Sequence, residues 1–237
     1  MSFGRTHHIH PSRNFRLHEI LEVERDHADS IRMNLGELRR RAATFSAGRT
    51  LFHSCAERQV LDFGNRTTYH AWQLCAARDC VMSIYHFGRI IDGIDESIGN
   101  CPQLRDMIDL KRKREAKKIF TREFPSSIKL RNAIAHSAER SKTVKATRRH
   151  GKRTSRLVEL NPALTIQASD DTSFLLALDS IYGTTFSSMW DGNLIRCEIN
   201  DRSGILLDQI TEAYWLAFDA IINPIAEPLP KITNSAS

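Results

Sequence analysis

The sequence predicts a mainly α-helical bundle with a small β-hairpin placed before its last helix. Three observations predict it. Apolar residues recur at three- and four-residue steps over much of 15–135, the period changes after about residue 158, and a helical period returns after Asn200. Of the 237 residues 41% are hydrophobic, enough to bury a core and to exclude a largely disordered chain.

Residues 1–14 read as a mobile N-terminus. His7, His8 and His10 fit a disordered histidine-rich end better than a metal site. One α-helical domain is expected over 15–223. Its first helix runs from Phe15 to about Phe45 on Leu17, Ile20, Leu21, Ile31, Leu35 and Leu38, and 47–66 shows no decisive period. The strongest helix spans Thr67 to Ile98, where Trp72, Ala76, Cys80, Ile84, Phe87, Ile91 and Ile94 form a stripe one face wide. Gly99-Asn100 should stop it in a left-handed conformation. Pro102 should open a helix that continues into the basic run, and Phe124-Pro125 should break it. A helix restarts near Ser126 with Ile128, Leu130, Ile134 and Ala135. Residues 141–158 read as a basic loop. Strands are expected at Phe174–Leu178, Tyr182–Ser188 and Leu194–Ile199, with Asp191-Gly192 turning a hairpin over about 181–199. Asn200 or Asp201 should cap a closing helix on Leu206, Leu207, Ile210, Ala213, Tyr214, Ala217 and Ile221. Pro224, Pro228 and Pro230 end it, and 224–237 is expected to be a disordered tail.

The charge is segregated. Residues 1–110 balance 14 basic against 14 acidic side chains, 111–156 hold 17 against 3, and 157–237 hold 3 against 11. A net +14 in the middle of the chain attracts polyanions, phosphate backbones above all. Lys111, Arg112, Lys113, Arg114, Lys117, Lys118 and Arg140 are the candidate RNA-binding side chains. A solvated helix face with a flexible basic loop accounts for the same density.

No run of eighteen apolar residues exists, so no membrane span or membrane partner is expected. The histidine-rich start does not resemble a secretory signal. Cys55, Cys75, Cys80, Cys101 and Cys197 are an odd count without a C-x-x-C pair, which reads as reduced thiols of a cytoplasmic protein. There is no P-loop, G-x-G-x-x-G, H-E-x-x-H or G-x-S-x-G, which disfavours nucleotide hydrolases, dinucleotide enzymes, zinc proteases and α/β-hydrolases.

The octet Leu130-Arg131-Asn132-Ala133-Ile134-Ala135-His136-Ser137 carries the most chemistry. Histidine moves protons near neutral pH, arginine stabilises charge on phosphoryl oxygens, and asparagine orients either the imidazole or the phosphate. With the RNA 2′-hydroxyl as nucleophile, that set suffices for phosphodiester cleavage without a metal or other cofactor. Asn132 and His136 share a helix face, whereas the Cβ directions of Arg131 and His136 differ by about 140°. Only arginine's length, a distortion or a second protomer brings both to one phosphate. The plainer alternative has His136 capping the helix and Arg131 paired with an acid. Asp92, Asp95 and Glu96 could bind Mg²⁺ but fit a solvated acidic face better. Arg78-Asp79 or Tyr85-His86 could line a cleft opposite His136, although His86 reads better as a satisfied interface histidine.

The octet resembles the R-x(4–6)-H motif of the HEPN superfamily, in the form where asparagine follows the arginine. The long helix before it, the proline-broken entry and the late closing helix are similar too, over about 67–223; the hairpin is not part of the family's core pattern. The resemblance implies an all-α bundle that forms a homodimer with its two motifs facing a shared cleft. It further implies a metal-independent endoribonuclease of bacterial defence or toxin systems, with Arg131 and His136 catalytic, Asn132 assisting, and an antitoxin or other protein partner. Members that only bind RNA or a partner give the alternative, a non-catalytic module.

Overall fold

The computed structural model describes residues 22–137, 142–143, 145, 152–154, 158–161, 164–166, 174–176 and 179–222, with the backbone alone for the segments from 152 to 176. The readings for 1–14, for Leu17, Ile20 and Leu21, for Arg140 and for 224–237 lie outside these residues.

Two long helices form the spine. Helix α1 (Arg25–Leu61) follows a short 3-10 turn, and α2 (Arg66–Gly99) runs back along it after another. At 1.5 Å per residue they are about 55 and 51 Å long. Their shared seam buries Ile31, Leu35, Leu38, Phe45 and Phe52 against Ala76, Cys80, Ile84, Phe87, Ile91 and Ile94. The antiparallel register is visible at three levels. Gly93 meets Asn34, the Cys80 thiol donates to the Phe45 carbonyl at 3.6 Å, and Gln59 donates to Gln73 at 2.8 Å.

The stretch 47–66, undecided by period, is the last part of α1 and the turn into α2. Packing along α2 settles it: Gly48, Phe52 and Cys55 are buried between more polar neighbours. Trp72 departs from its expected stripe and is 52% exposed, because the α2 stripe turns inward only from Gln73. The α2 stop falls at the expected residues by another route. Asn100 has φ −100° and its N–H bonds back to Ser97, so no left-handed residue is used.

Helix α3 (Pro102–Met107) and α4 (Leu110–Glu123) replace the one helix expected there. Ile108 is extended, Asp109 caps α4 by accepting from the Arg112 N–H, and the Asp109 N–H donates to the Ala217 carbonyl. A tertiary hydrogen bond thus stabilises the break. Helix α5 (Ser127–Ala135) restarts after Phe124-Pro125 as expected.

Within the expected basic loop, Lys152–Thr154 is strand β1 and β2 (Val158–Asn161) begins at its end. Strand β3 (Leu164–Ile166) pairs antiparallel with β2, and β4 (Phe174–Leu176) pairs antiparallel with β1. Next come β5 (Ser180–Tyr182), β6 (Thr185–Trp190) and β7 (Asn193–Glu198), a three-stranded antiparallel sheet in chain order. The expected hairpin is its β6–β7 half, and the expected strand from Tyr182 is divided by a turn at Gly183, φ +56°. Asp191 and Gly192 both have positive φ, 46° and 73°, which makes the two-residue β6–β7 turn type I′. Asn200 then caps α6 (Asp201–Ala217) by accepting from the Ser203 N–H, and α7 (Asp219–Ile222) ends the described chain.

The fold is therefore mainly helical with a small sheet before the closing helix. One apolar cluster joins α1, α2, α4, α5, α6 and the inner residues Phe186 and Ile195 of the sheet. No described helix is long and apolar enough to cross a membrane.

Candidate functional site

Helix α5 lies between α2 and the sheet. Its short apolar period sends Leu130 and Ala133 into the core and leaves Arg131, Asn132 and His136 half-buried. Arg131 extends toward α2. Its guanidinium carbon is 5.5 Å from the Tyr85 ring centroid, within cation–π range, and Nη1 donates to Asn132 Oδ1 at 3.2 Å. No carboxylate pairs with Arg131 among the described residues, so the acid-paired alternative does not describe it. Its Nε is buried without a hydrogen-bond partner. Leaving such a group unsatisfied costs ~1–3 kcal/mol.

His136 is the residue that ends α5, and its N–H donates to the Asn132 carbonyl at 3.0 Å. Its ring lies 5.7 Å from the Trp190 ring on β6, tilted by 34°. The two motif side chains thus have different neighbours, Arg131 on α2 and His136 on the sheet, as the 140° separation of their Cβ directions requires. Asn132 couples them: its side chain holds the arginine and its carbonyl holds the histidine backbone.

Of the two pairs singled out on α2, Tyr85-His86 is the one beside the motif. His86 meets the Tyr85 ring edge-on at 5.2 Å. Burial and the positive charges of Arg41 and Arg131 hold its imidazole below the ordinary histidine pKa, so it stays neutral at physiological pH. Arg78 donates to Asp179 at 2.8 Å, and Asp179 also accepts from Ser188 Oγ at 2.5 Å, which fastens the sheet to α2. That pair is a structural anchor.

Arg41 was not visible as a site residue in the sequence, where it ends the run Arg39-Arg40-Arg41 on a helix rich in charge. The signal that finds it is the α1–α2 register. Its Nε is also buried without a hydrogen-bond partner, 3.7 Å from a Glu37 carboxylate that accepts two bonds from Arg40.

The basic segment divides by face. Lys113 pairs with Asp95, and Lys117 pairs with Asp92 at 2.9 Å and Asp95 at 2.7 Å, clamping α4 to α2. Lys113, buried, and Lys117, half-exposed, are therefore weaker nucleic-acid candidates, because carboxylates of α2 already pair with their ammonium groups. The same pairs explain Asp92 and Asp95, read from sequence as a solvated acidic face. Arg112 is 3.7 Å from Asp109. Lys111, Arg114 and Lys118 remain exposed at i, i+3 and i+7, one stripe of α4.

Cys55, Cys80 and Cys101 are buried and unbridged. Burial pushes the Cys80 thiol up to about 12, so it does not act as a nucleophile at neutral pH. A cavity of about 290 Å³ opens beside the start of α5, between Phe124, Leu130, Arg196 and Ser203, away from the motif side chains.

No family model, curated protein or solved structure matches the chain.

Proposed function

We propose that the protein is an RNA-directed helical bundle of HEPN type, acting as a metal-independent endoribonuclease. His136 moves the proton of the RNA 2′-hydroxyl or of the leaving oxygen, Arg131 stabilises the charge on the phosphoryl oxygens, and Asn132 orients the arginine. The reading rests on one observation: Arg131 is half-buried, has no acidic partner among the described residues and is held by Asn132, four residues before His136. A guanidinium kept in place without a counterion is suited to an anion brought by a ligand. The exposed stripe Lys111, Arg114 and Lys118 supports a polyanionic partner. Homodimerisation belongs to the same proposal, because a second protomer supplies the histidine that one helix directs away from its own arginine. A bacterial defence or toxin setting with an antitoxin partner follows from the resemblance alone.

The second reading is a non-catalytic module for RNA or a protein partner, favoured by the different neighbours of Arg131 and His136. Incubation of purified protein with RNA in excess EDTA separates the two. Cleavage that persists in chelator and disappears in His136→Ala and Arg131→Ala supports the enzyme. Intact RNA with binding retained leaves the module.

A further inference from the structure

We propose that Arg41, His86 and Arg131, brought together from α1, α2 and α5, form one anion-binding cluster that takes a phosphate group of a nucleic-acid backbone. The inference deepens the RNA-directed reading by adding two side chains outside the motif.

Register places the first two. Along the antiparallel seam Asn34 meets Gly93 and Phe45 meets Cys80. Position 41 lies between 34 and 45 on α1, and position 86 lies at the matching level between 80 and 93 on α2. Arg41 and His86 are therefore opposite each other. The third side chain comes from α5, where Arg131 lies over Tyr85, the residue next to His86. The positive charges of both arginines act on the His86 imidazole, which places all three in one electrostatic neighbourhood.

Among the described residues compensation is incomplete. Glu37 accepts two bonds from Arg40 and reaches Arg41 only at 3.7 Å. Asn132, which is neutral, is the hydrogen-bond acceptor for Arg131. The Nε atoms of both arginines are buried without hydrogen-bond partners, while Arg41 shares the Glu37 charge with Arg40 and Arg131 has no acidic partner among the described residues. Two guanidiniums that both act on one imidazole offer two planar forks, a set that suits the several oxygens of a phosphate better than the two oxygens of a carboxylate.

The test uses the full chain and inorganic phosphate. Histidine side-chain resonances are followed by NMR during phosphate titration at ionic strength held constant with chloride, and His86 is assigned through His86→Gln. The expected result is a saturable shift of the His86 resonance, with half-saturation weakened about tenfold in Arg41→Gln and in Arg131→Gln and unchanged in Arg32→Gln, an exposed arginine elsewhere on α1. Should Arg41→Gln fail to fold, Arg41→Lys keeps the charge without the fork, and an intermediate weakening is expected. A shift that never saturates, or one equal in wild type and in both folded arginine variants, overturns the cluster. The two proposals fail separately. Saturable phosphate binding with RNA intact in EDTA removes the ribonuclease and leaves the cluster. His136-dependent cleavage without a phosphate response at His86 removes the cluster and leaves the ribonuclease.

Discussion

The Arg131 guanidinium sits over the Tyr85 ring, and Tyr85 meets His86 edge-on. One aromatic side chain of α2 thereby receives the arginine of α5 and passes its position to the next histidine. A cation–π contact that is partly desolvated contributes roughly 0.5–2 kcal/mol. That is enough to select one arginine rotamer and too little to hold it against an incoming phosphate, as the proposed role requires.

His136→Ala separates a chemical role from a structural one. The ring is half-buried and its ring neighbour is Trp190, a contact of about 0.5–1.5 kcal/mol. For a chain of this size that corresponds to a fall in Tm of a few degrees. The expected outcome is a melting curve displaced by that amount with cleavage in EDTA abolished. A fall of ten degrees or more in thermal melting would identify His136 as a structural residue.

The triple variant Lys111→Gln, Arg114→Gln, Lys118→Gln probes the α4 stripe. Each single-strand phosphate contact contributes about 0.7 to the slope of log affinity against log salt. The slope of RNA binding, measured by anisotropy across a salt series, should become about 2 units shallower while Tm hardly moves, because these side chains are exposed. An unchanged slope would place the RNA on another surface.

Asp95 contributes to the response to acid. Burial raises its pKa, but hydrogen bonds and charge from Lys113 and Lys117 outweigh burial, and the carboxyl is held below the ordinary carboxylate value. A folded-state pKa lower than the unfolded one contributes stability above the unfolded value, and that stability is lost as pH falls through the folded one. Wild-type stability should therefore fall below about pH 4, and Asp95→Asn should show a lower plateau at neutral pH with a shallower acid decline. Urea unfolding across a pH series reads both.

Gly88→Ala tests the α2–α4 contact. A Cβ there would meet Phe120 at 2.8 Å, and Phe120 is itself stacked on Phe87 at 5.5 Å and packed against Phe124. The ring can give way only by shifting against these two neighbours or into the cavity of about 160 Å³ that Gly88, Phe120 and Phe124 line. A loss of about 1–3 kcal/mol is expected in chemical denaturation. A neutral result would mean that α4 shifts along α2 without cost.

Much of the fold was readable as local pattern. The stripe of α2, the proline break before α5, the Asp191-Gly192 turn and the Asn200 cap all appear where the residues indicate. Each depends on interactions within a few residues, so a sequence window contains the whole cause. Readings failed where the cause lay elsewhere in the chain. The α3–α4 break is held by the Ala217 carbonyl, more than a hundred residues away, and Lys113 and Lys117 read as a nucleic-acid surface until Asp92 and Asp95 are placed opposite them.

The site divides in the same way. Sequence alone placed arginine and asparagine on one short helix with histidine at its end. Of the apolar positions expected there, Ile128, Leu130, Ile134 and Ala135, only Leu130 is buried. Ile128 is 59% exposed and the unexpected Ala133 turns inward, because the neighbours that α5 packs against choose its buried face. Only the tertiary structure decided which groups stand beside them. Arg41 comes level with His86 through the register of two long helices, Tyr85 lies beneath Arg131, and Trp190 comes from a sheet against His136. Helix period specifies a direction for each side chain, while the partner found in that direction depends on where a distant segment packs, and packing is a property of the whole chain.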